Sequence, residues 1–525
     1  MKNVFFRLFF CINLLFCFCF RITAQTSFQK IYGGNYNSTG DAIRQTTDGG
    51  FVITGYTAVP GGGSAPDGYL VKTDANGTML WNKTFGGVDR DYPKAVQQSP
   101  DGGYIMAGFI QNNNTLKVQV YVVKMDSSGN LTWSRHLGSS VATSNSANDV
   151  EATSDGGFVV SGSSRKMSND YDGFLFKTDG SGTVIWGKHF GGISHDLIHS
   201  MSATSDGGFI LGGYSGSFGL TNYDMYLIKT DLSGNVLWSK TYGDGDSNIG
   251  IAVKQTSDSG YILIGYTQSS SSGSRDIMVI KTDSLGNHLW NKVYGGPGFE
   301  MPYAVCEIPG QGYVITGDTD SGGAGLSDIY IIRTDYNGDT TWTKTVGLSG
   351  YDDASDIISD GNGSFILTGG SSSGKATIIK SDASGFTGCN EGASVTSVAS
   401  IQISEASQVT SVSNAYFGVI GYITTIGTMG TDSTICTSVG LESIENLEQP
   451  FKLYPNPASG YFVIENVQQT YLTCEIFDVC WNKLYEENFI NDNKTTIATN
   501  DLVPGIYFVK LITDKAQWIS KLIIQ

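Results

Sequence analysis

The sequence predicts an all-β protein, and three observations carry that prediction. A phrase centred on tryptophan recurs at a nearly constant interval, Asp-Gly turn phrases recur in step with it, and the chain beyond its first residues shows no amphipathic helical period. The composition agrees: among 525 residues only 15% are charged, 12% are aromatic and 68 are glycine, the profile of a turn-rich sheet protein.

The tryptophans fall at Trp81, Trp133, Trp186, Trp238, Trp290 and Trp342, spaced by 52 or 53 residues. Each stands in a phrase like Leu80-Trp81-Asn82-Lys83-Thr84-Phe85-Gly86-Gly87. A second phrase, like Lys72-Thr73-Asp74-Ala75-Asn76-Gly77, occurs seven times, beginning at Lys72, Lys124, Lys177, Lys229, Lys281, Arg333 and Lys380. A third, Asp-Gly-Gly before an apolar run, begins at Asp48, Asp101, Asp155 and Asp206 and degenerates in the later units.

One unit therefore reads as four short strands, a to d. In the first unit strand a spans Ala42 to Thr46, strand b Phe51 to Tyr56, strand c Tyr69 to Thr73 and strand d Met79 to Phe85. Asp opens the a–b and c–d turns through side-chain to backbone bonds, and Gly takes their left-handed position. Apolar runs such as Tyr121-Val122-Val123 suit a sheet covered on both faces.

The ends decide between an open stack and a ring. The last unit stops after Lys380-Ser381-Asp382-Ala383-Ser384-Gly385 and lacks strand d, while Phe28-Gln29-Lys30-Ile31-Tyr32 stands 53 residues before Trp81, in register with the series. The amino-terminal strand is thus expected to complete the seventh unit, giving a seven-bladed β-propeller over residues 26–386. Strand d is expected to leave a free edge, with its basic residue (Lys30, Lys83, Arg135, Lys188, Lys240, Lys292 or Lys344) snorkelling outward to discourage edge pairing.

The phrase Lys-Thr-Asp-x-x-Gly-x-x-x-Trp resembles the tryptophan-docking motif of quinoprotein-type propellers, and the whole unit is similar to the bacterial secreted β-propeller repeat. The resemblance implies architecture and not function, and it implies no quinone cofactor.

Residues 1–24 read as a signal peptide, with Lys2 and Arg7 before an apolar run from Phe9 to Phe20 and a cleavage site after Ala24. Five cysteines follow it: Cys306 is expected to be buried and unpaired, while Cys389 with Cys436, and Cys474 with Cys480, could form disulfides in an oxidising compartment.

Residues 387–450 are Ser- and Thr-rich and are expected to form either a strand pair on the propeller or a loose connector. Residues 451–525 show apolar runs separated by turns, the pattern of a small β-sandwich. Leu453-Tyr454-Pro455-Asn456-Pro457 opens this module, Pro504-Gly505-Ile506-Tyr507 follows late, and Lys521-Leu522-Ile523-Ile524-Gln525 closes it. In that order these residues resemble the type IX secretion carboxy-terminal sorting domain of Bacteroidetes. The resemblance implies Sec export, then recognition of the module by outer-membrane machinery and a sortase, and a final location at the cell surface or outside the cell.

A net charge of −17 disfavours nucleic acid as a partner. The longer b–c and d–a connections mark the expected functional face. Asp67, Asp172, Asp224, Asp276 and Asp328 recur before strand c, and Asp41, Asp91, Asp149, Asp196, Glu300 and Asp353 lie in the d–a connections or near the start of strand a. An acidic mouth of this kind could bind Ca²⁺ or sugar hydroxyls, or the acids could simply cap strand starts. His195, Asp196 and His199 form the one histidine cluster, but no nucleophile triad, phosphate loop or metal-ligand run is present. The reading is a monomeric, non-catalytic propeller that binds an extracellular protein or glycan without a required cofactor. The alternative is a carbohydrate-active hydrolase or lyase using carboxylates at the mouth.

Overall fold

The computed structural model describes residues 27–438 and 451–524 except for short internal stretches, the longest at 59–64 and 269–274. The expected signal peptide lies outside the described residues. The chain divides into two compact units, Met1–Gly440 and Leu441–Gln525.

The first unit contains seven antiparallel four-stranded blades with neighbour order a-b-c-d. The first blade has strands Ala42–Gln45, Phe51–Ala58, Pro66–Thr73 and Met79–Gly86, within a few residues of expectation. Strands b and c are almost wholly buried, as in Asp276–Thr282. The seventh blade takes its fourth strand from the amino terminus: Ser27–Tyr32 pairs antiparallel with Ala376–Lys380, with Phe28 opposite Lys380 and Tyr32 opposite Ala376. Each inner strand packs beside the next, and Asp353–Ser359 packs beside Ala42–Gln45, so the series returns to its start.

Adjacent blades lock through tryptophan and glycine. The Trp81 ring lies so close to Gly129, in the c–d turn of the next blade, that a Cβ there would stand 2.8 Å from it. Gly129 has φ +77°, so glycine is required by conformation as well as by space. The same contact joins Trp133 to Gly182, Trp186 to Gly234, Trp238 to Gly286, Trp290 to Gly338 and Trp342 to Gly385, and Phe28 of the seventh blade meets Gly77 of the first. Tyrosine hydroxyls reinforce three of these joints, Tyr32 donating to the Gly77 carbonyl at 2.5 Å, Tyr242 to Gly286 at 2.5 Å and Tyr294 to Gly338 at 2.6 Å.

Several basic residues of strand d do not snorkel outward as expected. Lys240 reaches Asn287 of the next blade at 2.8 Å, Lys292 pairs with Asp339 at 2.8 Å, and Arg135 donates to the Ser181 carbonyl at 2.9 Å while lying over Trp133. They tie blades together because the next c–d turn offers acceptors within their reach.

Nor does strand d form a bare edge. The segment expected as a strand pair or loose connector travels back round the ring and gives every blade a fifth strand. Glu391–Ala393 pairs with Thr340–Val346, Ser397–Ala399 with His288–Gly295, Ser404–Ser407 with Val236–Gly243 and Ser411–Asn414 with Val184–Gly191. Gly418–Gly421 then pairs with Leu131–Gly138, Thr425–Gly427 with Met79–Gly86, and Asp432–Ser438 with the amino-terminal strand. The alternation of small, polar and β-branched residues suits short outer strands that protect edges. Cys436 lies in the last of them, opposite Gln29, and its expected partner Cys389 lies outside the described residues.

The second unit is the expected sandwich. One sheet holds Phe451–Tyr454, Tyr461–Asn466 and Lys494–Ala498; the other holds Lys483–Phe489, Leu472–Phe477, Gly505–Ile512 and Gln517–Ile524. Phe462, Ile464, Ile476, Ile497, Val509, Leu511 and Leu522 fill the space between them. Cys474 is a buried free thiol in this core rather than half of a disulfide, and Cys480 lies outside the described residues.

The strand Ser27–Tyr32 is held on both sides, so loosening its outer neighbour should expose it. Thr434→Pro, opposite Lys30, is expected to remove a ladder bond worth about 1 kcal/mol and to speed amide exchange in Ser27–Tyr32 about fivefold, as read by hydrogen–deuterium exchange.

Candidate functional site

Each of the six inner strands from Arg90–Gln98 onward carries a β-bulge at one equivalent position, where the pairing register skips a residue: Lys94, Asn148, His199, Ile251, Tyr303 and Ser355. In the first blade Asp41 occupies this place, its N–H donating to the Thr54 carbonyl that Ala42 also faces. A bulge re-aims its side chain and bends the strand. All seven residues line one central cavity of about 510 Å³, together with Thr39, Arg44, Tyr56, Asp149, Lys254, Asp353 and Asp356.

The charges in this channel are largely paired. Lys94 meets Asp41 at 2.8 Å and Arg44 meets Asp356 at 2.5 Å. Asp356 also accepts the Ile43 and Ile357 N–H groups, and Asp149 accepts those of Val150 and Met201. Burial raises the Asp149 carboxyl above the usual range, opposed by Lys254 and Arg44. The His199 ring donates through Nδ1 to the Gly250 carbonyl at 2.9 Å, and burial lowers its pKa.

Partly exposed aromatic rings spread outward from the rim. Tyr56 meets Tyr92 edge-on at 4.9 Å between centroids, and Tyr92 meets Phe109 at 4.9 Å. His199 meets Tyr214 at 5.4 Å, which meets Tyr223 at 5.2 Å. Arg275 lies over Tyr266 at 4.9 Å. At the same rim burial pushes the Asp318 carboxyl up to about 6, against its hydrogen bonds with Tyr303 and Ser327.

The carboxylates expected to form an acidic mouth mostly turn inward. Asp224, Asp276, Asp328, Asp196 and Glu300 are 1–2% exposed and Asp172 is 5% exposed; Asp67 is half-buried. Three of them hold loops. Asp196 accepts the Gly192 N–H at 2.7 Å and the hydroxyls of Ser215 and Ser217. Glu300 accepts the Gly296 N–H at 2.9 Å and the Thr319 and Ser321 hydroxyls, and Asp328 accepts the Gly325 N–H at 3.0 Å. Asp67 and Asp91 converge on Gly86, where a Cβ would lie 2.4 Å from one carboxylate and 2.8 Å from the other. Burial first, and the Asp67 charge second, push the Asp91 carboxyl up to about 8.

His195 and His199 are not joined in one site. His195 accepts the Tyr171 N–H at 3.2 Å in the loop, whereas His199 lines the channel, and Asp196 is engaged by serines. Among the described residues no group of three or more His, Cys, Asp or Glu is placed to hold a metal ion. Of the channel set, the sequence reading names Asp41, Asp149, Asp353 and His199 but misses Lys94, Asn148, Ile251, Tyr303 and Ser355, although a signal exists: the position differs in every repeat, in a unit whose structural positions barely change.

In the second unit Tyr454 is exposed, Gly505 begins a strand opposite Ile524, Tyr507 is buried with its hydroxyl on the Val503 carbonyl at 2.7 Å, and Lys521 pairs with Phe508. Pro455, Asn456 and Pro457 lie outside the described residues.

No curated protein matches this chain in sequence. Among solved structures, an extracellular domain assigned to a hybrid two component system of B. thetaiotaomicron is similar at 10% identity and a TM-score of 0.36, covering 93% of this chain and 55% of that one. This chain thus spans about half the length of that structure. A second such extracellular domain from B. thetaiotaomicron gives 12% identity and a TM-score of 0.18, with 95% and 100% covered. The sucrose-6-phosphate hydrolase of Lactobacillus gasseri gives 9% and 0.30, with 78% and 93% covered. At these scores none bears on ligand or chemistry. Residues 452–525 match the family described as Secretion system C-terminal sorting domain. No helix among the described residues is long and apolar enough to cross a membrane. Residues 452–525 are thus a secretion system C-terminal sorting domain, and the chain that bears them is exported to the outer-membrane surface or beyond.

Proposed function

We propose that the first unit is a non-catalytic binding module whose ligand, an extracellular glycan, sits at the mouth of the central channel. One observation carries this reading: six bulges and the equivalent place in the first blade present Asp41, Lys94, Asn148, His199, Ile251, Tyr303 and Ser355, seven different residues at one repeated position. The repeat itself demands none of them, so their diversity fits a ligand rather than the fold. A cavity of about 510 Å³ falls within the roughly 300–1,000 Å³ of small-ligand sites. The aromatic rings at its rim supply stacking faces, and its hydroxyl, amide and imidazole groups supply hydrogen bonds to sugar hydroxyls. Pairing of Asp41 with Lys94 and of Asp356 with Arg44 favours a neutral ligand and leaves these acids to hold the wall. Recognition of the sorting module by outer-membrane machinery, and its removal by a sortase, belong to the same proposal.

A hydrolytic reading rests on Asp318, a rim carboxyl held near pH 6 beside Tyr303. Sugar release from a polysaccharide, abolished in Asp318→Asn, would establish it in place of the first.

Glycan-array binding by the full chain is expected without product formation. Tyr56→Ala combined with Tyr303→Ala should weaken capture at least tenfold while leaving the melting temperature within a few degrees. Unchanged capture would remove the channel mouth from consideration.

The Asp67–Asp91 junction gives a separate pH prediction. Burial and the Asp67 charge push the Asp91 carboxyl up to about 8, well above the usual carboxylate range, so its stabilising contribution is complete below about pH 4 and is lost as pH rises through 8. Asp91→Asn should therefore raise the melting temperature more at pH 8 than at pH 5; equal shifts would contradict the raised pKa of Asp91.

A further inference from the structure

In every blade from the first to the sixth, the basic residue that opens the Lys-Thr-Asp phrase is buried: Lys72, Lys124, Lys177, Lys229, Lys281 and Arg333 are 2–8% exposed. Five of them have a counter-charge within their own blade. Lys72 meets Asp48 at 2.8 Å, Lys124 meets Asp101 at 2.8 Å, Lys229 meets Asp206 at 2.9 Å, Lys281 meets Asp258 at 2.8 Å, and Lys177 is bonded to Asp155. These contacts pull the aspartates low, Asp48 to about 2 through its bonds to Lys72 and Thr46.

The sixth blade breaks the rule. Its a–b turn is Gly310-Gln311-Gly312, so the carboxylate is gone, and Arg333 has only the neutral side-chain oxygen of Gln311, at 2.6 Å, where the other five have an acid. Arg333 makes no ion pair among the described residues. A buried cation without a counter-charge is costly, and a guanidinium offers five donors arranged to hold a carboxylate by two parallel bonds. Beside it opens a pocket of about 240 Å³ lined by Gln311, Arg333, Thr341, Trp342, Ala383 and Ser384. The substitution that removes the aspartate thus also coincides with space for an external anion.

We propose that this pocket, on the a–b and c–d turn face and apart from the channel mouth, binds a small carboxylate, which replaces the missing aspartate as the partner of Arg333. Trp342 gives the pocket an apolar wall, and Thr341, Ser384 and Gln311 give it hydrogen-bonding groups. A carboxylate carried on a hydroxylated ring, as in a hexuronic acid, uses all of these, whereas a simple organic acid uses Arg333 alone.

The test employs the full chain and thermal shift with acetate, glucuronate, glucose and sulfate as probes, repeated by calorimetry for any that stabilise. Glucuronate and acetate are expected to raise the melting temperature, glucuronate binding at least tenfold more tightly, while glucose gives no shift. Equal affinities would keep the carboxylate site and assign it to free organic acids instead. Gln311→Asp restores the counter-charge found in the other five blades; it should raise the melting temperature without ligand and abolish the carboxylate response. The proposal is overturned if Gln311→Asp leaves both quantities unchanged, or if sulfate and glucose match the carboxylates.

Discussion

Ring closure by aromatic docking is the constraint on which the other features depend. Each outer ring lies on the turn glycine of the next blade, from Trp81 on Gly129 to Phe28 on Gly77. A side chain larger than hydrogen at those glycines would collide with the ring and also strain the backbone. The wide rim is thereby fixed at regular spacing, and the inner strands converge on a channel of defined size. Six bulges, with Asp41 at the equivalent place in the first blade, then set seven side chains around it, so the geometry of the site follows from contacts made at the opposite radius of the disc.

Most of this architecture was legible in the sequence because repetition reports on itself. The tryptophan spacing, the Asp-Gly turns and the displaced Phe28–Tyr32 strand specify blade number and the way the seventh blade is completed, and the pairing of Phe28 with Lys380 agrees. The fifth strands were not legible. They are three to seven residues long, too short for their alternation to separate a strand from a loop. What makes them strands is the row of unpaired backbone groups waiting on each strand d, a property of the assembled blades and not of residues 391–438 themselves.

The site was harder to read for a related physical reason. Repeated acids such as Asp276 and Asp328 draw attention, yet both are buried, and Asp328 accepts a loop N–H from Gly325. Channel residues such as Ile251 and Ser355 carry no chemical signature alone, and their importance comes from the bulge that points them inward. The exception in the sixth blade was visible as a degenerate turn at Gln311, but its meaning needed the buried position of Arg333. Breaks in internal symmetry were more informative than the acidic residues the repeats share.

One further property follows from the outermost ladder. Ser27 stands opposite Ser438, so the first and last described residues of this unit are neighbours in a single sheet. Its backbone is therefore nearly circular, and the position of the covalent break is a matter of genetics more than of mechanics. Permuted versions, with the old ends joined and new ones opened in a surface turn, preserve all its strand pairings. The same adjacency makes it suited to insertion as a cassette within a host polypeptide, entering and leaving at one point.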